Sequence, residues 1–75
     1  MTSTVTYLGD LRTSATHLAS KNNLITDAPI DNQGKGEAFS PTDIVATALA
    51  SCLLTIMGIK GRDLQIDLTL SLIHI

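Results

Sequence analysis

Ser40-Pro41-Thr42-Asp43-Ile44-Val45-Ala46-Thr47-Ala48-Leu49-Ala50-Ser51-Cys52 is the stretch whose reading settles the architecture. Its first four residues spell a helix start. Ser40 suits the N-cap, where its hydroxyl accepts a backbone N–H of the first turn. Pro41 falls at N1, where its missing donor is not needed. Asp43 falls at N3, where its carboxylate reaches back to the cap and complements the helix dipole. Phe39 and Ile44 occupy the two positions of a hydrophobic staple. The predicted helix covers 41–60, with Gly58 and Gly61 at its end and Lys60 and Arg62 suited to the dipole there.

Between Ile44 and Ile59 only Thr47, Ser51 and Thr55 interrupt the apolar run in earnest, four residues apart, drawing one narrow polar stripe. A helix apolar nearly all round is buried on most sides or lies in a membrane. This run falls short of the ~20 residues that span a bilayer. A long buried core helix is therefore expected, with no membrane partner. A chain of 75 residues supplies too little cover for it. A partner subunit or further sequence is expected to supply the rest.

Outward from the helix, 27–40 is punctuated by Asp27, Pro29, Asp31, Asn32, Gly34 and Gly36 and reads as a loop. Residues 1–26, rich in Thr, Ser and β-branched side chains, read as a three-strand meander. Val5 and Tyr7 lie in the first strand, Gly9-Asp10 in its turn, Arg12 to Ala19 in the second strand. Lys21-Asn22-Asn23 forms the next turn and Leu24-Ile25-Thr26 the third strand. Beyond the helix, 64–75 reads as a half-buried strand, because Ile66, Leu68, Leu70 and Leu72 alternate with polar residues. The fold class is α+β in a single partial domain. The closing Leu70-Ser71-Leu72-Ile73-His74-Ile75 looks like translated sequencing-adapter read-through, foreign to the fold.

Composition narrows the function. Five basic and seven acidic residues give a net charge of -2, and the basic ones are scattered. With one tyrosine, one phenylalanine and no tryptophan, nothing stacks on bases, so no nucleic-acid partner is expected. His17, His74 and Cys52 make no zinc-ligand set, and no metal or cofactor is expected. Met1 to Tyr7 has neither the basic nor the apolar region of a signal peptide. The lone thiol then fits a reducing cytoplasm.

Cys52 is the one soft nucleophile. It stands about three turns into the helix, where the N-terminal dipole helps little. On composition alone it reads as a small buried hydrophobe. A reactive thiolate needs a cation, and Arg12 in the hairpin is the best candidate; otherwise Arg12 is a solvated edge charge. Asp43 is accounted for as a capping residue. Glu37, close to Lys35, reads as a solvated loop charge. Gly34-Lys35-Gly36 is too short for a phosphate loop.

The stretch from Ser40 to Cys52 resembles the OsmC/Ohr family of thiol-dependent hydroperoxide reductases, in which a Pro opens a long apolar helix and a cysteine follows about eleven residues later. Gly34-Lys35-Gly36-Glu37-Ala38-Phe39 and Tyr7-Leu8-Gly9-Asp10-Leu11-Arg12 strengthen the match and point to the OsmC-like branch. The resemblance covers Met1 to about Leu68. It implies an α+β fold built by two intertwined chains, hence a homodimer, with the helix buried against sheets. It also implies a peroxidatic cysteine, matched by Cys52, and a hairpin arginine that activates it, matched by Arg12. The substrate implied is an organic hydroperoxide and the reductant a dithiol. The family's arginine-orienting glutamate falls on Thr42, which carries no charge. Asp43 beside it is acidic but turned about 100° around the helix. The family's resolving cysteine has no counterpart.

The expectation is therefore an OsmC-like peroxidase, of which this chain is the N-terminal half with weak or no turnover. The alternative is a non-enzymatic OsmC-like dimer with an inert buried cysteine, which the loss of charge at Thr42 favours.

Overall fold

The computed structural model describes every residue from Met1 to Ile75. The chain divides into two compact units, Met1–Asp43 and Ile44–Ile75.

The first unit is a three-stranded antiparallel sheet in the order β1-β2-β3, formed by β1 (Ser3–Gly9), β2 (Arg12–His17) and β3 (Asn23–Asp27). Threonine, valine and tyrosine favour β1, where branched and aromatic side chains fit the pleat. The β1–β2 ladder pairs Val5 with Ala15 and Tyr7 with Thr13, then shifts so that Gly9 faces Arg12. Asp10 and Leu11 form the two-residue connection, both at positive φ (53° and 63°). Two such residues make the tight hairpin turn whose twist suits the flanking strands. Asp10 tolerates that conformation, whereas a leucine pays for its Cβ there.

β2 ends at His17 rather than at Ala19, and β3 starts at Asn23 rather than Leu24. The reason is the turn between them. The His17 carbonyl accepts Lys21 N–H (2.8 Å) and His17 N–H donates to the Asn22 carbonyl (2.8 Å). Those bonds turn the chain over 18–22, so that β3 meets β2 only from Asn23, opposite Thr16. β3 also runs one residue further than expected, to Asp27, which pairs directly with Arg12.

The segment after β3 is a loop closed at its base. Asp27 N–H donates to the Phe39 carbonyl (3.0 Å), and Ala28 N–H to the Leu11 carbonyl (3.2 Å). One turn of 3-10 helix, Ile30–Asn32, lies inside it. Gly34 passes so close to Ala28 that an added Cβ would stand 1.8 Å from the Ala28 carbonyl oxygen.

Helix α1 (Pro41–Asp63) starts as its sequence dictates. Ser40 Oγ accepts the Asp43 amide and the Asp43 carboxylate accepts the Ser40 amide, both at 3.0 Å. Each end of this capping box satisfies a donor that the helix leaves orphaned. The helix runs 23 residues, through Gly58 and Gly61, three residues past the expected end. Its termination lies in the following residues. Ile66 N–H donates to the Gly61 carbonyl (2.7 Å) and Gln65 N–H to the Arg62 carbonyl (3.2 Å), with Gln65 at φ 58°. That is a Schellman cap, with glutamine at the left-handed position usually given to glycine. Gly61 lets the chain return over it, since a Cβ would meet the Ile66 carbonyl and the Leu68 side chain at 3.0 Å.

The strand expected in the second unit is corrected. Residues 64–75 form no strand; Asp67 and Thr69 make an Asx-turn (2.9 Å) and Ser71 N–H donates to the Leu68 carbonyl (3.0 Å). Alternation yields a strand only where another strand accepts its backbone bonds. As the sequence leads one to expect of so short a chain, α1 finds little cover within it: only Ala50 and Gly61 are buried, while Val45, Leu49, Ile56 and Ile59 are exposed. At 23 residues and a mean hydropathy of 1.8 over its most apolar window, α1 is long and apolar enough to cross a membrane by length and composition alone. The short apolar run is thus not the whole helix, although Lys60, Arg62 and Asp63 load its last turn with charge.

Two substitutions test these constraints. Gly34→Ala should destabilise the first unit by about 1–3 kcal/mol, as overpacking does, read from its denaturant midpoint. Gln65→Gly should raise helix stability by about 1 kcal/mol, because glycine bears the left-handed conformation without its Cβ cost. A lower melting temperature for Gln65→Gly would contradict the cap.

Candidate functional site

The hairpin turn places Arg12 at the start of β2, and the ladder sets Asp27 across from it. The Asp27 carboxylate is fully buried, and Arg12 Nη2 lies 3.3 Å from its Oδ2. The same Nη2 lies 2.7 Å from Oε1 of Glu37, a side chain that is 60% exposed. Glu37 is bound a second time, its backbone N–H donating to Asp27 Oδ2 at 3.1 Å. Three charged groups from a strand start, a strand end and a loop thus meet at one guanidinium nitrogen. Both hydrogens of Nη2 are engaged, and Nη1 and Nε are left to other partners.

Asp27 is held below the usual carboxylate pKa. The Glu37 amide is the largest cause; burial opposes it, and the Arg12 charge, the Lys35 amide and the Arg12 hydrogen bond add to the lowering. Asp27 Oδ1 is buried without a hydrogen-bond partner. A buried carboxylate is retained only where compensation of this kind exists.

Beside the sheet, an open groove of about 340 Å³ is lined by Tyr7, Leu11, Thr13, Thr26, Ser40 and Thr42 among others. The Thr13 and Thr26 hydroxyls are hydrogen-bonded to each other at 2.5 Å. Tyr7 Oη accepts the Leu11 amide at 3.3 Å. The groove therefore offers hydroxyl groups and the Asn32 amide beside apolar side chains, a surface able to take a small amphipathic molecule.

Among the sequence candidates, Arg12 and Glu37 are brought together. Glu37 is not a free loop charge, and Arg12 is not a free edge charge. Asp43 is committed to the capping box. Thr42 sits on the same cap, its hydroxyl 3.1 Å from Ser40 Oγ. Neither is paired with the arginine. Cys52 belongs to the second unit, on α1, and is exposed rather than buried. Its helix neighbours Leu49, Leu53 and Ile56 are exposed and apolar. Ser51 one residue before it uses its backbone carbonyl to accept the Thr55 hydroxyl (2.8 Å), which accounts for part of the polar stripe.

Asp27 is the member of this charge cluster that sequence reasoning missed. Ending the third strand at Thr26 left Asp27 in the loop. Extending the meander by one residue puts an acid opposite Arg12, and that cross-strand charge pair was the available signal.

A crystal structure of a Psychrobacter arcticus protein, described as an osmotic stress induced and detoxification response protein, is similar to this chain. It is 75% identical, with a TM-score of 0.87, over 89% of this chain and 49% of that one. The chain thus spans about half the length of that protein. No protein-family model matches the chain, and no curated protein does.

The Asp27 assignment has a pH consequence. A carboxylate whose pKa is lowered by folding contributes stability above its unfolded pKa and loses it as pH falls through the folded value. The Glu37 amide resonance should therefore titrate with a midpoint below that of an ordinary aspartate carboxyl, the loop loosening from β3 as that group is protonated. A midpoint no lower than an ordinary aspartate's in an amide-detected NMR titration counts against the bond.

Proposed function

The chain belongs to the OsmC-like family over a stretch that spans about half of its solved relative, and on that footing we propose that the whole protein is a thiol-dependent peroxidase reducing organic hydroperoxides. One observation carries the reading: a helix cysteine, eleven residues after a capped Pro41, in a chain 75% identical to a detoxification response protein.

Cys52 is the nucleophile. Its thiolate attacks the terminal oxygen of the hydroperoxide, so an S–O bond forms as the O–O bond breaks. The alkoxide leaves and takes a proton from water to give the alcohol. The sulfur is oxidised to a sulfenic acid and the peroxide reduced by two electrons. A dithiol closes the cycle: one thiol displaces water to form a mixed disulfide, and the second frees the Cys52 thiol as the reductant's disulfide forms. Arg12 supplies the cation that favours the thiolate. The protein acts as a homodimer in the cytoplasm, and the exposed apolar side chains of α1 support a covering partner.

The rival, a non-enzymatic dimer, draws on the uncharged Thr42. Arg12 finds acidic partners without that position, in Asp27 and Glu37, which weakens the rival's argument.

In the whole protein, Cys52→Ser should reduce consumption of cumene hydroperoxide to the uncatalysed background, and wild-type Cys52 should alkylate faster than free cysteine at neutral pH. Undiminished consumption by Cys52→Ser would sink the nucleophile assignment. Alkylation no faster than free cysteine would favour the inert dimer.

A further inference from the structure

An arginine that activates a thiolate must be held, because its long side chain otherwise samples many rotamers and its charge is screened by water. In the family resemblance the holding acid falls at position 42, which is a threonine bonded to Ser40. Arg12 nevertheless has two carboxylates within ion-pair distance, 2.7 and 3.3 Å, on the same nitrogen.

We propose that Asp27 and Glu37 together are the positioning residues of Arg12, replacing an acid on the helix with two from the sheet and its loop. This inference rests on the reading of Arg12 as the cation that serves Cys52. The two acids divide the work. Asp27 is fixed: it is fully buried, lies across the ladder from Arg12, and has the Glu37 amide on its Oδ2. It sets where the guanidinium sits. Glu37 is exposed at its side chain and anchored at its backbone by Asp27, so it sets how the guanidinium is turned. A solvent-exposed pair alone holds an arginine weakly. The buried acid therefore carries most of the hold, and the loop acid depends on it. With Nη2 saturated by the two acids, the guanidinium presents its remaining donors on its other edge.

Positioning and simple charge balance give opposite signs at the thiol. If Asp27 merely offset part of the Arg12 charge, its neutralisation would strengthen the field of a stationary cation, and Cys52 would alkylate faster. If Asp27 positions Arg12, its neutralisation releases the cation, and Cys52 alkylates more slowly.

The test uses the full chain carrying Asp27→Asn, Glu37→Gln, both, and Arg12→Gln. Two readouts are taken at pH 7: the guanidinium 15N resonances of Arg12 and the rate of Cys52 alkylation by iodoacetamide. In the unaltered protein the Arg12 Nη resonances should be resolved, as for a guanidinium whose rotation is hindered. Asp27→Asn should merge them and slow alkylation about tenfold, the loss of thiolate that one pH unit represents. Glu37→Gln should slow it by a smaller factor, and the double variant should match Asp27→Asn, because Glu37 is anchored through Asp27. Faster or unchanged alkylation in Asp27→Asn, with Arg12 still resolved, overturns the proposal. Should Asp27→Asn lose its folded amide spectrum, Glu37→Gln decides: resolved Arg12 signals and an unchanged rate overturn the proposal there too. Arg12→Gln separates the two levels. If it leaves alkylation unchanged, the Arg12–Cys52 reading fails. If it slows alkylation while the carboxylate variants do not, the positioning inference alone fails.

Discussion

The buried carboxylate of Asp27 is the constraint around which the first unit is arranged. A fully desolvated acid is costly, and it persists only because an amide and a guanidinium converge on one of its oxygens. Those same contacts tie the third strand to the second and the loop to the third. The loop's return is completed by the Asp27 amide bonding to Phe39, one residue before the helix cap. Thus a single residue connects the hairpin, the loop and the approach to Ser40. The unit has polar buried residues, Thr26, Asp27 and Ser40, where a larger domain would have an apolar core. Its order rests on satisfied hydrogen bonds more than on excluded surface.

The helix is specified differently. Its sides bury almost nothing, yet both of its ends are closed by backbone and side-chain bonds. Caps of this kind are local, so they fix where a helix begins and ends whatever lies against its flanks. The apolar surface of α1 is thus defined in extent while remaining uncovered within the chain.

Legibility in the sequence followed the range of the interactions. The capping box at Ser40 and Asp43 was readable because every participant lies within four residues. The sheet was readable in order and number of strands, since turn residues punctuate it. Strand ends were less so: the bonds around His17 and Asn22 withdrew residues that alternation had assigned to a strand. The helix end escaped notice because Gln65, not a glycine, adopts the left-handed conformation, while Gly58 and Gly61 are interior. The tail's alternation misled because a strand is a property of two paired backbone segments and not of one pattern. The site was half legible. Arg12 and Glu37 were noticed singly, but nothing local pairs residues 12, 27 and 37; the ladder register brings the first two together and the loop's bond to Asp27 brings in the third.

That register has its own origin in the turn between His17 and Asn23. The backbone bonds of His17 with Asn22 and Lys21 fix how β2 faces β3, and the ladder counts from there to Arg12 and Asp27. Side chains in a sheet alternate faces, so a one-residue slip of β3 along β2 would carry Asp27 away from Arg12 to the opposite side. The chain's two hairpin turns are therefore unequal in what they permit. Lengthening the connection at Asp10 and Leu11 would shift β1 along β2 and leave Arg12 facing Asp27. Lengthening the one around Ser20 by a single residue would preserve three strands and every residue named above, while dissolving the charge cluster. A turn at the opposite end of the ladder from the charges thereby acts as the ruler for its chemistry.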